Sequence, residues 1–415
     1  MAEAVSLRDS LLLARDLPNR PWHLITVLVL EGALEREALV ARIGQRLDYA
    51  PRFRERVGGA PLPGWADDTG LRIAGHVRRH TLAPGQGLDA WLGEELSRPL
   101  DRLHPRWDVT LVDGFAPDRT AVVFRLHPAW VDGQAHVHLL QELLDEAPGP
   151  ITGGAPEWTP QAEGLGSLLG GLSDPLRLLR EAAAGLTGLA EAGLRQVTTE
   201  PTALHVAGVT VDLAQVRLVR ERHRCTTHDV LLALATAGLR EALVAEGGPW
   251  EDPIALVPLG VVDDTDASAI GCRVAPQWIT LPVTAPSAVE RLGVLASLTQ
   301  TRIDAEQTVP AAELADVAGF VPPTLHAVAA ATVIEGRPHQ ALIVNAPGPR
   351  TPRYLGPRRV VSVHSIDSCV DGQRFSVGIT SYGDQVTLTA TSLVPLPRFA
   401  RTVADELGML SREVR

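Results

Sequence analysis

Leu126–Leu140 reads LHPAWVDGQAHVHLL, and the fold of the whole chain follows from it. Just before it, Thr120–Leu126 (TAVVFRL) is a nearly continuous apolar run of the length of a buried strand. Beyond the Asp132-Gly133 turn, Leu139, Leu140 and Leu143 fall at helical spacing. A strand that ends in His127, a turn and then a helix predict an α/β chain with polar groups presented at the edge of a core. His136 and His138 stand two residues apart on that predicted helix, so they face different directions and predict no metal pair.

The surroundings of that stretch bound the rest. With 415 residues, the chain is long enough for two domains of about 200 residues, each with its own core. No run reaches the ~20 apolar residues of a membrane span, and Met1–Pro18 lacks the basic start and apolar centre of a leader. The expectation is a cytoplasmic protein whose contact with a membrane, if any, is peripheral. Net charge is -11, and every basic residue is Arg, none Lys. That excludes Schiff-base chemistry and leaves Arg or helix N-termini to hold an anionic ligand. An acidic chain without a basic stripe argues against a nucleic-acid partner. Cys225, Cys272 and Cys369 have no CxxC spacing, so they predict ordinary buried thiols and neither a disulfide framework nor a zinc site.

Along the chain, Leu24–Leu30 reads as an apolar strand and Leu34–Leu47 as a helix. His23, beside Trp22 at the strand's start, reads as a packed or capping residue. Ala147–Pro160 is rich in Pro and Gly, as an exposed connection is. Leu165–Val197 has apolar residues near helical spacing, but Gly185, Gly188 and Gly193 weaken it, so it needs a surface to lie on. The predicted organisation is a first domain over 1–148, a linker and crossover helical segment over 149–200, and a second domain over 201–415. In the second, Ala203–Leu213 reads as a strand, and Thr226 with Asp229 forms a TxxD cap that places His228 in a helix's first turn.

Several of these segments together resemble the bacterial wax ester synthase and diacylglycerol acyltransferase family, whose HHxxxDG motif belongs to the chloramphenicol acetyltransferase superfamily. His127 matches the motif's first His, and Asp132 and Gly133 match its DG. Leu7, Asp9 and Leu12, followed by Pro21-Trp22-His23, match the family's start, and Pro105-Arg106-Trp107 matches its PLW. Thr226, Thr227, Asp229, Val230, Leu232 and Ala233 match its T-x-N-D-V-x-L-A segment, and Asn345-Ala346-Pro347-Gly348-Pro349 its NVPGP. The resemblance covers nearly the whole chain and implies two chloramphenicol-acetyltransferase-like domains with a tunnel between them.

Four positions depart from the pattern: Pro128 replaces the second His, His228 replaces Asn, no Arg follows Pro258, and Cys272 stands where Asn is usual. In the superfamily the second His is the general base, and a proline offers neither proton nor lone pair. His127 is mainly structural in relatives, though it could in principle take over. Asp132 is implied to brace the loop by pairing with an Arg. His228 is either a relocated base, since the family places this segment near the motif and the helix dipole keeps the ring neutral, or only a first-turn residue bonding to a neighbour. Trp130 either lines and shortens the tunnel, with Cys272 as a further lining residue, or packs in the core. The implied function is transfer of an acyl group from a thioester to a hydroxyl or amine in a remodelled site, in specialised metabolism. The alternative is a relative that no longer transfers acyl groups but binds a ligand or carrier protein, or templates a cyclisation. No bound cofactor is implied; acyl-coenzyme A or an acyl-carrier thioester would be the co-substrate. The partners are a small molecule and, where a carrier delivers the acyl group, an acyl carrier protein.

Overall fold

The structure, a computed structural model, describes residues 3–5, 7–47, 50–58, 64–130, 143–152, 203–247, 251–261, 273–305, 339–369 and 372–412. Asp132, Gly133, His136, His138 and Cys272 therefore lie outside the described residues, as does most of the 149–200 linker.

In the first half the elements run β1 (Glu3–Ala4), α1 (Leu7–Arg15), β2 (Leu24–Glu31), α2 (Arg36–Arg46), β3 (Glu55–Gly58), β4 (Gly64–Asp67), α3 (Ile73–His76), β5 (Val77–Thr81), α4 (Leu88–Ser97), β6 (Trp107–Asp113) and β7 (Arg119–Leu126). The second half has β8 (His205–Asp212), α5 (Leu213–His223), α6 (Thr227–Glu246), β9 (Ile254–Val261), β10 (Arg273–Thr280), α7 (Ala288–Ala305) and β11 (Ala341–Pro347). It closes with β12 (Tyr354–Leu355), β13 (Arg358–Asp367), β14 (Phe375–Tyr382), β15 (Gln385–Ser392) and α8 (Phe399–Ser411).

Two six-stranded sheets result, in the orders β12-β13-β2-β7-β6-β5 and β10-β9-β11-β14-β15-β8. The first is completed by strands from the second half: β13 pairs antiparallel with β2, and the predicted division at residue 200 does not separate the two sheets. β13 also lies against β14, where Gly378 faces the Ser365 carbonyl so closely that a Cβ would collide with it. Only glycine permits that approach.

Alternation along each strand sorts the cores. Leu24, Leu28 and Leu30 of β2 and Leu126, Phe124 and Val122 of β7 pack with α2 on one face. Ile25, Val27 and Val29, with Val123 and Ala121, pack with Trp91, Leu92 and Leu96 of α4 on the other. The second sheet buries one face under its helices, Ala341 and Ile343 of β11 meeting Val230–Leu234 of α6. Its opposite face, Leu342, Val344 and Ala346, meets Ala129, Trp130, Trp22 and Trp65 of the first half. Trp278 lies within β10, opposite Leu256 of β9.

Candidate active site

The turn after β7 is built by short-range bonds that explain its sequence. His127 N–H donates to the Arg106 carbonyl (2.9 Å), tying the turn to the segment that enters β6. Trp130 N–H then donates to the His127 carbonyl (3.0 Å), closing a single 3-10 turn over Pro128–Trp130. Pro128, at the first position of that turn, has no N–H to lose and a φ suited to it. The proline is thus locally comfortable, and it leaves the turn without a second imidazole.

His127 is fully buried, and its Nδ1 accepts the Ala129 N–H at 3.0 Å. The proton of the neutral ring is therefore on Nε2, which is buried with no partner among the described residues. Burial first, then the Arg106 guanidinium, then His23 and Arg102, hold its pKa well below the ordinary histidine value. With its Nδ1 lone pair already engaged, this ring can donate but has no free nitrogen to take a proton. Position and tautomer thus speak against the sequence expectation that His127 could serve as base.

Trp130 resolves the choice between tunnel lining and core in favour of packing. It is 1% exposed, its indole N–H donates to the Glu55 carbonyl (2.9 Å), and it meets Trp65 edge-on with centroids 4.9 Å apart. Arg106 lies 5.5 Å from its ring and is fixed by Asp16, whose Oδ2 accepts from Arg106 Nη1 at 3.0 Å. Asp16 Oδ1 accepts the Trp22 N–H (3.0 Å), so the start of the chain, the Arg106 segment and the turn are fastened together. Burial, only partly offset by Arg106, raises the pKa of Asp16.

His23 is 1% exposed and sits directly before β2. Its backbone N–H donates to Ser368 Oγ (3.1 Å), which ties the start of β2 to the residue after β13. Arg125 on β7 helps to satisfy the end of α4, reaching the carbonyls of Glu95 (2.5 Å) and Arg98 (2.7 Å) while pairing with Asp108 (2.6 Å). His23 Nδ1 is buried without a partner among the described residues. Burial, then Arg125, lower its pKa well below the ordinary value. The sequence reads His23 as a packed or capping residue, and the fold buries its ring directly before β2.

His228 is where the capping pattern places it. Thr226 Oγ1 accepts from Asp229 N–H (3.1 Å) and Asp229 Oδ2 from Thr226 N–H (2.8 Å), a reciprocal cap with His228 in the first turn of α6. Asp229 also accepts from Thr299 (2.5 Å), binding α6 to α7. His228 Nδ1 lies 3.2 Å from Asn345 Nδ2. Burial lowers its pKa, against a raising influence from Asp229, so the ring is neutral as expected.

The expected proximity of His228 to the motif is not what the fold provides. Asn345 alternates with Val344 and Ala346 on β11; they face Trp130, whereas Asn345 shares the α6 side with Ile343. The strand therefore stands between His228 and the 127–130 turn. His23 directly precedes β2 and His127 directly follows β7, whose antiparallel pairing ends with Leu24 opposite Leu126, and the charge on one ring would be felt by the other. Among the described residues no group of His, Cys, Asp and Glu is arranged to hold a metal. Nor, among them, is any helix long and apolar enough to cross a membrane.

Comparison with known proteins places this architecture. The model of the wax ester synthase/diacylglycerol acyltransferase catalytic domain matches residues 5–235, and that of the family's C-terminal domain matches 270–409. A probable diacylglycerol O-acyltransferase of Mycobacterium tuberculosis is 28% identical over 387 residues, covering 86% of this chain and 83% of the relative. Among solved structures, the wax ester synthase/diacylglycerol acyltransferase of Marinobacter aquaeolei superposes with a TM-score of 0.68 at 21% identity, covering 98% of both chains. The first condensation domain of the calcium-dependent antibiotic synthetase superposes at 0.56 with 12% identity, covering 100% of this chain and 98% of the other, which shows a shared fold.

Proposed function

The chain belongs to the wax ester synthase/diacylglycerol acyltransferase family, and from that premise we propose that it transfers an acyl group from a thioester to the hydroxyl or amine of a small molecule, in a site remodelled around the 127–130 turn. The observation that carries this reading is the turn itself. It keeps its seat between the two halves, with Ala129 and Trp130 against Leu342, Val344 and Ala346, and holds a neutral imidazole N–H at its start. What it lacks is a base at position 128. A positioned base contributes about 10²- to 10⁴-fold, so transfer here leans on positioning, on electrostatics and on another proton acceptor. That difference from the family pattern favours a role in specialised metabolism over storage-lipid synthesis.

The acyl donor is coenzyme A or an acyl carrier protein; with no Lys in the chain, its phosphates would be held by Arg or by helix N-termini. Pro128 favours a second reading, in which the protein binds a ligand or carrier, or templates a cyclisation, without moving an acyl group. One experiment separates the two. The purified protein is incubated with acyl-coenzyme A of several chain lengths and a panel of alcohols and amines, while free thiol and ester or amide products are measured. Thiol release matched by product supports transfer; saturable donor binding with no thiol release supports the second reading.

A further inference from the structure

On the acyl-transfer reading, we infer that Arg106, with the His127 N–H beside it, seats a carboxylate of the acceptor, so that the acceptor is a hydroxy acid or amino acid and not a plain alcohol or amine.

The PLW pattern has Leu where this chain has Arg106, so an apolar side chain has given way to a charge beside the same turn that lost its base. Arg106 is tied to that turn twice: its carbonyl accepts the His127 N–H (2.9 Å), and its guanidinium lies 5.5 Å from the Trp130 ring. The side chain is 13% exposed, and its Nη1 donates to Asp16 Oδ2 at 3.0 Å. Asp16 is not a full counter-charge, because the same oxygen also takes Arg102 at 3.4 Å. Two guanidinium groups thus share one carboxylate, and a charge buried without a full partner is costly. Burial outweighs Asp16 and, together with Arg102, lowers the pKa of Arg106, the sign of a charge left under-compensated. The groups that bear most on His127 are likewise Arg106, His23 and Arg102, all of them basic.

Hydrogen bonding points the same way. Three residues around the Trp130 ring each keep a buried N–H with no partner among the described residues: His127 Nε2, Arg106 Nε and Trp65 Nε1. The two rings and the guanidinium lie 5.7, 4.9 and 5.5 Å from the Trp130 ring, for His127, Trp65 and Arg106 in turn. All three can only donate, His127 because its Nδ1 is already engaged by the Ala129 N–H. Buried polar atoms are normally satisfied, and those that are not call for an explanation. Donors alone, beside a surplus positive charge, call for an acceptor that is an anion.

A carboxylate is that group. Its two oxygens only accept, they match the planar donors of a guanidinium, and its single charge equals the surplus left by the shared Asp16. Water accepts but brings no charge. A phosphate carries close to two charges, more than the seat can offset. The oxyanion formed during acyl transfer carries one, but for an instant only, whereas a carboxylate on the acceptor offsets the guanidinium throughout the bound state. Held by its carboxylate, the acceptor is anchored at one end while its hydroxyl or amine is free to reach the thioester.

The test reads binding and turnover separately. Hexanoate should change the tryptophan fluorescence of the wild type saturably and raise its urea midpoint, while 1-hexanol and inorganic phosphate at the same concentration do neither. Arg106→Leu, which carries the residue of the PLW pattern, should weaken hexanoate by about 10- to 100-fold, the worth of a hydrogen bond to a charged group. In turnover the wild type should prefer 6-hydroxyhexanoate to 1-hexanol, or 6-aminohexanoate to hexylamine, and Arg106→Leu should raise KM for the acid by the same factor. Hexanoate affinity within threefold of wild type in the variant, or a wild type that binds 1-hexanol or phosphate as tightly as hexanoate, overturns the inference. So does a wild type that acylates the plain alcohol or amine as well as the acid, or an equal fall in kcat for both acceptors in the variant, which is the mark of oxyanion stabilisation. Should Arg106→Leu not fold, Arg106→Lys takes its place: it keeps a charge toward Asp16 but has no planar Nε–H, and the same weakening and the same limits apply. If no acceptor is acylated while hexanoate still binds through Arg106, acyl transfer fails and the carboxylate seat stands.

Discussion

Trp130→Ala measures how firmly the motif turn pins the two halves together. The indole is 1% exposed and touches both halves, with Trp65 and Leu12 on one side and Leu256, Leu342 and Val344 on the other. An aromatic side chain buries about 200 Å², and at roughly 25 cal/mol per Å² this gives an upper bound of about 5 kcal/mol. Truncation also strips the Glu55 carbonyl of its donor and leaves a cavity whose walls, a strand and a sheet face, can collapse only in part. The expected loss is about 3–5 kcal/mol. It is read as a lower urea midpoint at unchanged slope, followed by circular dichroism so that loss of a tryptophan does not confuse the signal. Because an apolar cavity accepts an apolar ligand of matching shape, indole added at saturating concentration should restore part of the midpoint in the variant and do nothing to the wild type. A loss below about 1 kcal/mol, which is the range of surface changes, would show that Trp130 is not the pin that its contacts suggest.

Two further outcomes follow from the neutral histidines. His228→Ala should leave turnover within about threefold of wild type, since β11 separates its ring from the 127–130 turn; a loss of the 10²-fold size typical of a base in steady-state assays would show that the proton does pass through α6. His364, bonded to Ser362 (3.1 Å) and Thr389 (3.4 Å), has its pKa pushed by burial down to about 4. The unfolded ring titrates near 6.5, so its contribution to stability is complete above that pH and is lost as pH falls from about 6.5 toward 4. Urea unfolding between pH 7 and 4 should therefore show a decline that His364→Gln makes shallower; parallel curves for the two proteins would exclude His364 as its source.

Local physics wrote much of this fold into the sequence. The apolar run before His127 is β7, the 34–47 pattern is α2, and the TxxD spacing is the reciprocal cap of α6. These rest on periods of two and of 3.6 residues and on a bond that spans three positions, all visible in a short window. What the window does not contain is partnership at a distance. That β13 completes the first sheet depends on a pairing between residues more than 300 apart, and on Gly378 admitting its backbone. The side of β11 on which Asn345 falls is decided by which of two alternating sets the helices cover. A one-residue change of phase exchanges those sets, so proximity inferred along the family pattern could not foresee that His228 is shielded from the turn.

The same contrast bears on where a proton can go. A histidine in the sequence is a possible acid, base or ligand, and only its two nitrogen partners decide which. Burial lowers the pKa of both His127 and His23, yet the Nδ1 lone pair of the first is engaged by a backbone N–H within its own turn, while Nδ1 of the second has no partner among the described residues. Pro128 favours that outcome for His127: it starts the 3-10 turn that brings the Ala129 N–H back onto the ring. The residue that removes a base from position 128 is thus also the one that helps to fix its neighbour as a donor. In a turn so arranged, His127 offers an N–H, and proton acceptance would fall to another group.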